Sequence, residues 1–247
     1  MEIGAEVLRV EGLTHHKLFR NVSFTVHAGE VLGVSGLMGA GRTEIMQAIF
    51  GNLPVVSGKI FIDGVEVKIH NPRQAIAAGI GFITEDRKTE GLLLEKSVEE
   101  NIEIANLRKT SRRGIRSKAL RTKLVNEAID EFHIKCFGPE HECNNLSGGN
   151  QQKVVLAKWI YTEPKILILA EPTRGVDIGA KKEIYNVIND LAGRGVAVIM
   201  VSSELTEVLG MSDRIMVVHE GEVTGIINSA DADQEKVMTL ATGGCLA

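Results

Sequence analysis

Long apolar runs are missing from this chain of 247 residues, and no stretch approaches the roughly 20 residues a helix needs to cross a bilayer. The start, Met1-Glu2-Ile3-Gly4-Ala5-Glu6, has neither the basic head nor the apolar centre of a secretory signal. Cysteine is scarce and odd in number: Cys136, Cys143 and Cys245 match no metal-ligand spacing and read as reduced thiols of a cytosolic chain. Positive charge is not in surplus. With 28 Lys and Arg against 32 Asp and Glu the net charge is −4, which argues against a general nucleic-acid binder. What remains, 44% hydrophobic and 24% charged residues, is the balance of a globular chain with a sizeable core. One large domain, or a domain with an inserted lobe, fits that length.

Two stretches carry chemistry. Val31-Leu32-Gly33-Val34-Ser35 reads as a buried strand and runs into Gly36-Leu37-Met38-Gly39-Ala40-Gly41-Arg42-Thr43. The second segment fits the phosphate-loop pattern G-x-x-x-x-G-K-[ST], with Arg42 in place of lysine. A strand, a glycine loop and a helix in that order gather backbone N–H groups around an anion. Gly36 and Gly41 allow the tight turn, and a helix over 42–50 turns its positive end to the anion. Thr43 is placed to ligate Mg²⁺ through its hydroxyl, and Glu44 belongs to the same first turn. Arginine keeps the charge but is longer and forked where lysine is compact.

The other stretch is Leu146-Ser147-Gly148-Gly149-Asn150-Gln151-Gln152, with Ser147 as cap of an apolar helix through Trp159. Downstream, the strand Lys165-Ile166-Leu167-Ile168-Leu169 ends in Ala170-Glu171-Pro172-Thr173. The rest of the chain alternates strands and helices. Val7–Val10 and Val22–Val26 alternate as strands, 59–67 reads as a hairpin around Asp63-Gly64, and Asn71-Pro72 opens a helix. Ser97-Val98-Glu99-Glu100 is a capping box that begins a helical lobe. Between Leu107 and Asn126 lie eight basic and no acidic residues; without aromatics for stacking, a solvated face is the favoured reading. A helix over 124–132 leads back toward Ser147, and a helix over 180–191 precedes the strand 196–201. A strand pair flanks Glu220-Gly221, a short helix spans 236–241, and 243–247 reads as a frayed end.

Taken together, these motifs resemble the nucleotide-binding domains of ABC transporters, over nearly the whole chain. Leu-Ser-Gly-Gly-Asn-Gln-Gln-Lys (146–153), Glu-Pro-Thr-Arg-Gly-Val-Asp (171–177) and Thr-Glu-Asp-Arg-Lys (84–88) are similar to one subgroup in particular. That subgroup is the C-terminal half of bacterial sugar-import ATP-binding proteins of the ribose, xylose and galactose type, whose two halves share one polypeptide. The resemblance implies an α/β phosphate-loop NTPase core with a mostly parallel sheet, an antiparallel β lobe and a helical lobe at about 97–160. It treats 1–247 as one such domain and as part of a longer two-half protein. ATP and Mg²⁺ are the implied cofactors. Glu171 is the implied base, and His15, His16 and Phe19 lie where an aromatic stacks on adenine. Ser147, Gly148, Gly149 and Asn150 would contact the γ-phosphate of ATP held by a facing domain, and Asp177 would touch that domain.

The facing domain would be the N-terminal half or a second copy. Transmembrane permease subunits and, indirectly, a sugar-binding protein would complete the assembly, at the cytoplasmic face of the membrane and without nucleic acid. Four positions depart from the family pattern: Arg42 for lysine, Glu85 for the metal-sensing glutamine, Ala170 for the metal-binding aspartate and Ser203 for the γ-phosphate histidine. The expectation is a half that binds ATP, hydrolyses it poorly and lends its Ser-Gly-Gly segment to the other site. A fully active hydrolase is the alternative, while a role in soluble ribosome or DNA-repair machinery fits these motifs poorly.

Overall fold

The computed structural model describes residues 3–245. In chain order the strands and helices are β1 (Glu6–Thr14), β2 (Val22–His27), β3 (Val31–Ser35), α1 (Arg42–Ile49), β4 (Ser57–Ile62), β5 (Val65–Val67), α2 (Pro72–Ala77) and β6 (Ile80–Ile83). A π-helical turn (Arg87–Gly91) precedes α3 (Val98–Ala105), the small strands β7 (Ser111–Arg112) and β8 (Ile115–Arg116), α4 (Lys118–Glu131) and α5 (Gly148–Ile160). The chain closes with β9 (Ile166–Ala170), α6 (Ile178–Gly193), β10 (Ala197–Val201), α7 (Leu205–Met211), β11 (Arg214–His219), β12 (Glu222–Asn228) and α8 (Gln234–Ala241). It divides into two compact units, one made of 1–82, 165–171 and 185–247, the other of 83–164 and 172–184.

In the first unit an antiparallel sheet runs β2-β1-β4-β5, and the main sheet runs β12-β11-β3-β10-β9-β6. Strand β3 is parallel to both β10 and β11, and β9 is parallel to β10. Every residue of β3, β9 and β10 is buried, so these strands are continuous apolar runs, as a parallel sheet covered on both faces requires. The Asp63-Gly64 turn has both residues at positive φ (50° and 75°), the backbone that a two-residue hairpin of the right twist needs. Val208, Ile215, Val217, Ile227, Val237 and Leu240 close a core under α7, β11, β12 and α8. Each such side chain contributes roughly 1.5–3 kcal/mol when fully buried. The expected fraying does not begin at Gly243: its N–H bonds Leu240 O and that of Gly244 bonds Thr239 O, the glycine stop of α8. Leu246 and Ala247 lie outside the described residues.

In the second unit the capping box is present, with Ser97 Oγ accepting from Glu100 N and the Glu100 carboxylate accepting from Ser97 N. Buried Asn101 then pins the segment before α3, exchanging hydrogen bonds with the backbone of Leu93. The basic stretch is more regular than the sequence reading of a loop and a helix from Leu124. Ser117 caps α4, which starts at Lys118, and a two-residue-per-strand hairpin precedes it. Much of its charge is answered from outside the stretch. Arg116 and Arg121 both pair with buried Glu103, Arg121 also reaches Glu99, and Lys109 meets Glu163. The stretch is a solvated face, with Lys109, Arg116 and Arg121 paired to carboxylates from outside it.

The start of β3 is held by charge. Glu30 is fully buried; its carboxylate accepts from Arg214 (2.9 Å), from His27 N (2.8 Å) and from the His27 ring. Val31 N donates to Asp213 (2.9 Å), so two bonds tie β3 to the beginning of β11. Removing only Arg214 leaves a buried carboxylate without its cation. Arg214→Met is expected to cost about 3 kcal/mol in urea unfolding, and adding Glu30→Gln to recover part of that loss, since the amide carries no charge.

Candidate functional site

The site residues read from the sequence fall into two groups, one in each unit. In the first unit, strand register does the assembling. Val34 and Ala170 both stand beside Val201, so the carboxyl ends of β3, β10 and β9 form one row. The loops leaving that row hold Gly36–Thr43, Ser202–Ser203 and Glu171. Open α/β sheets place ligands at this edge because the strand ends release their loops together.

Gly36 has φ 152°, and a Cβ there would lie 2.3 Å from Val218 O, so only glycine lets the chain turn under β11. Ala40 N bonds Leu37 O (3.1 Å), and Ala40 O accepts from Gly221 N (2.8 Å). The loop is thereby closed on itself and tied to the β11–β12 turn. Leu37, Met38 and Gly39 face solvent. Gly41 is left-handed and gives α1 no side-chain cap, so its first amides are left for an anion; Thr43 and Glu44 lie in that turn. Nucleotide phosphate fits this cradle.

The polar groups around the cradle are paired with one another. Arg42 Nη1 donates to Ser202 O at 2.7 Å, a use that a forked guanidinium allows while its other N–H groups stay available. Ser203 Oγ donates to the Glu171 carboxylate at 3.0 Å. Glu171 sits at φ 49° and donates its N–H to Val201 O (2.8 Å), a left-handed backbone that a non-glycine residue keeps only when its surroundings hold it. Ala170, fully buried, offers no oxygen. Among the described residues no three His, Cys, Asp or Glu side chains are grouped to hold a metal ion. Thr43, the residue read from the sequence as a ligand for Mg²⁺, lies in the first turn of α1. Of the adenine candidates, Phe19 is buried and His15 spends Nδ1 on the N–H groups of Lys17 and Leu18. His16 is exposed, its ring centroid 4.3 Å from that of His15.

In the second unit, Ser147 Oγ accepts from Asn150 Nδ2 (2.9 Å) and Asn150 Oδ1 accepts from Lys135 N (2.9 Å). The glycines are there for close approach. A Cβ on Gly148 would fall 2.8 Å from Arg87 Nη2 and 3.1 Å from Gly175 O, and one on Gly149 2.7 Å from Ala180 Cβ. Asp177 Oδ1 accepts from Ala180 N (3.0 Å), which holds the first turn of α6. Glu85 is engaged in an ion pair with Arg174. Asp86 caps the π-helical turn, and the amide of Lys88 together with the bonds from Thr89 holds its carboxyl below the usual range. Burial lowers the basicity of Lys158, whose Nζ donates to Gly91 O at 2.6 Å.

The ABC transporter family profile matches residues 19–174. The chain belongs to that family. It is 58% identical over 242 residues to the ribose import ATP-binding protein RbsA of Geobacillus kaustophilus, a match that takes in 98% of this chain and 49% of that protein. The RbsA of Bacillus subtilis is 54% identical over 242 residues, with the same coverage. The chain thus spans about half the length of the curated relatives it matches. Among solved structures, the ADP conformation of MJ1267, an ATP-binding cassette of an ABC transporter, superposes with TM-score 0.76 at 22% identity and covers 95% of this chain and 94% of that one. The cbiO1 protein of Clostridium perfringens gives 0.78 at 23%, covering 95% and 93%. These likenesses show the ABC ATPase fold: α/β, mostly parallel in its main sheet, with an antiparallel lobe and helices.

Several working parts of this ABC domain were not legible as such. The Ser202 carbonyl that receives Arg42 and the Gly221 amide that ties the phosphate loop are backbone groups, which leave no trace in residue type. Arg87 is a side chain and sat in view, but within a charged run that reads equally well as a surface loop. Gly149 yields a direct test. Gly149→Ala should cost about 1–3 kcal/mol by overpacking against Ala180. Ala180→Gly in the same chain should return a good part of it, as a double-mutant cycle in urea would register.

Proposed function

We propose that this domain is the ATP-binding half of a ribose-type sugar importer, degenerate at its own nucleotide site. It lends Ser147-Gly148-Gly149 to a facing ABC cassette, whether the N-terminal half of the same polypeptide or a second copy. Supporting the sugar-import part is the identity of 54–58% to proteins named for ribose import. No helix of the described residues is long and apolar enough to cross a membrane, so the reading needs separate transmembrane permease subunits, with a sugar-binding protein beyond them. The domain would then sit peripherally at the cytoplasmic face.

One observation carries the degenerate reading: the buried methyl of Ala170 ends β9 in the row where a metal-binding carboxylate is needed. The pairing of Arg42 with the Ser202 carbonyl supports it further, because ATP hydrolysis relies on metal and positioned cations at the transferring phosphate. Losing one such element costs on the order of 10²-fold in rate. The amides of Gly39 and of Gly41 to Thr43 would hold phosphate, and Mg²⁺, when bound, supplies charge neutralisation. Glu171, steadied by Ser203, favours the alternative of an active hydrolase, since a held carboxylate is what polarising a water requires.

Calorimetry with Mg-ATP, with phosphate release followed in the same sample, separates the two. The expected outcome is binding with turnover at least 10²-fold below that of an intact cassette, unchanged in Ala170→Asp once its folding is verified by thermal melting. Turnover appearing in Ala170→Asp would reduce the defect to one carboxylate. Brisk turnover in the chain itself would sink the degenerate reading.

A further inference from the structure

One side chain bonds the loop that follows β6 to the backbone of Arg174 and Gly175 and packs beside Gly148. Asp86 turns the backbone into the π-helical turn by accepting from Lys88 N (2.8 Å) and Thr89 N (3.4 Å), and so aims Arg87 inward. The Arg87 guanidinium donates through Nη1 to Arg174 O (2.7 Å) and through Nη2 to Gly175 O (3.1 Å). The same Nη2 lies 2.8 Å from where a Cβ of Gly148 would stand, so the absent side chain of Gly148 is the room that Arg87 occupies. The far end of the turn is held as well, by Lys158 of α5 bonding Gly91 O at 2.6 Å and by Val155 against Gly91. Burial lowers the basicity of Arg87, a cost that two charge-assisted bonds offset.

We propose that Arg87 is a positioning residue that fixes the start of α5 against the Arg174–Asp177 loop. Its planar fork sets the spacing of the two surfaces that a facing cassette would meet. This rests on the reading of those surfaces as donated to another cassette. A lysine would keep the charge but could not hold two carbonyls in one plane.

Hydrogen–deuterium exchange on the whole chain tests the fork without any partner. In Arg87→Ala the amides of Gln151, Val176 and Ala180 should exchange at least about tenfold faster, the lower end of what one lost bond to a charged group gives, while α3 and α4 stay as protected as before. Arg87→Lys should restore little, and Gly148→Ala should loosen the same two segments. Unchanged exchange in Arg87→Ala, full restoration by Arg87→Lys, or loosening spread evenly over the unit would overturn the proposal. Sedimentation then reads Mg-ATP-driven self-association, expected to weaken about tenfold in Arg87→Ala with the ATP affinity by calorimetry unaltered. A parent chain that binds ATP yet never self-associates would count against donation to a second copy, while the exchange comparison still decides Arg87.

Discussion

Val34, Val201 and Ala170 stand in one row across three parallel strands, and the nucleotide site hangs from that row. Parallel pairing sends every strand out at the same edge, so three loops distant in sequence open side by side. β3, β9 and β10 are buried along their whole length, so a slip in register would have to repack both faces at once. Glu30 and Asp213 add the positional lock, binding the beginning of β3 through Arg214 and the Val31 amide. The position of the cradle therefore follows from the sheet.

What the sheet presents is an anion cradle whose surrounding side chains are turned to neighbouring protein groups. Arg42 uses its greater length to reach a backbone carbonyl, and Ser203 gives its hydroxyl to Glu171. Ala170 keeps the strand apolar to its last residue. Binding energy from backbone amides survives such changes, since N–H groups at a helix start depend on conformation and not on side-chain chemistry. Catalysis is more sensitive to such changes, because it needs charge at particular points. That difference is the physical basis of the proposed combination of ATP binding with weak turnover.

The second unit shows glycine used for space. Gly148 makes room for Arg87 and Gly149 for Ala180, so the Ser-Gly-Gly segment is shaped from behind by the π-helical turn and by α6. A motif whose glycines look like an open anion site is here also a packing surface. Its Asn150 reaches Lys135 N, and Lys153 reaches His133 O, which fastens the loop after α4 to the same helix.

By itself the sequence determined the elements and the kind of site: the apolar runs of β3 and β9, the Asp63-Gly64 hairpin, the Ser97–Glu100 capping box, the phosphate loop and the Ser-Gly-Gly helix start all follow from local rules of propensity, capping and turn geometry. The resemblance carried by three short motifs extended that to the family. Tertiary structure alone decided who partners whom. That Arg42 meets Ser202 O, that Ser203 meets Glu171, that the basic stretch is answered by Glu103 and Glu163, and that Arg87 spans the Arg174 and Gly175 carbonyls depend on contacts between distant residues. Sequence periodicity sees which face a residue takes on its own element; it cannot see the backbone carbonyl that another element brings within hydrogen-bond reach.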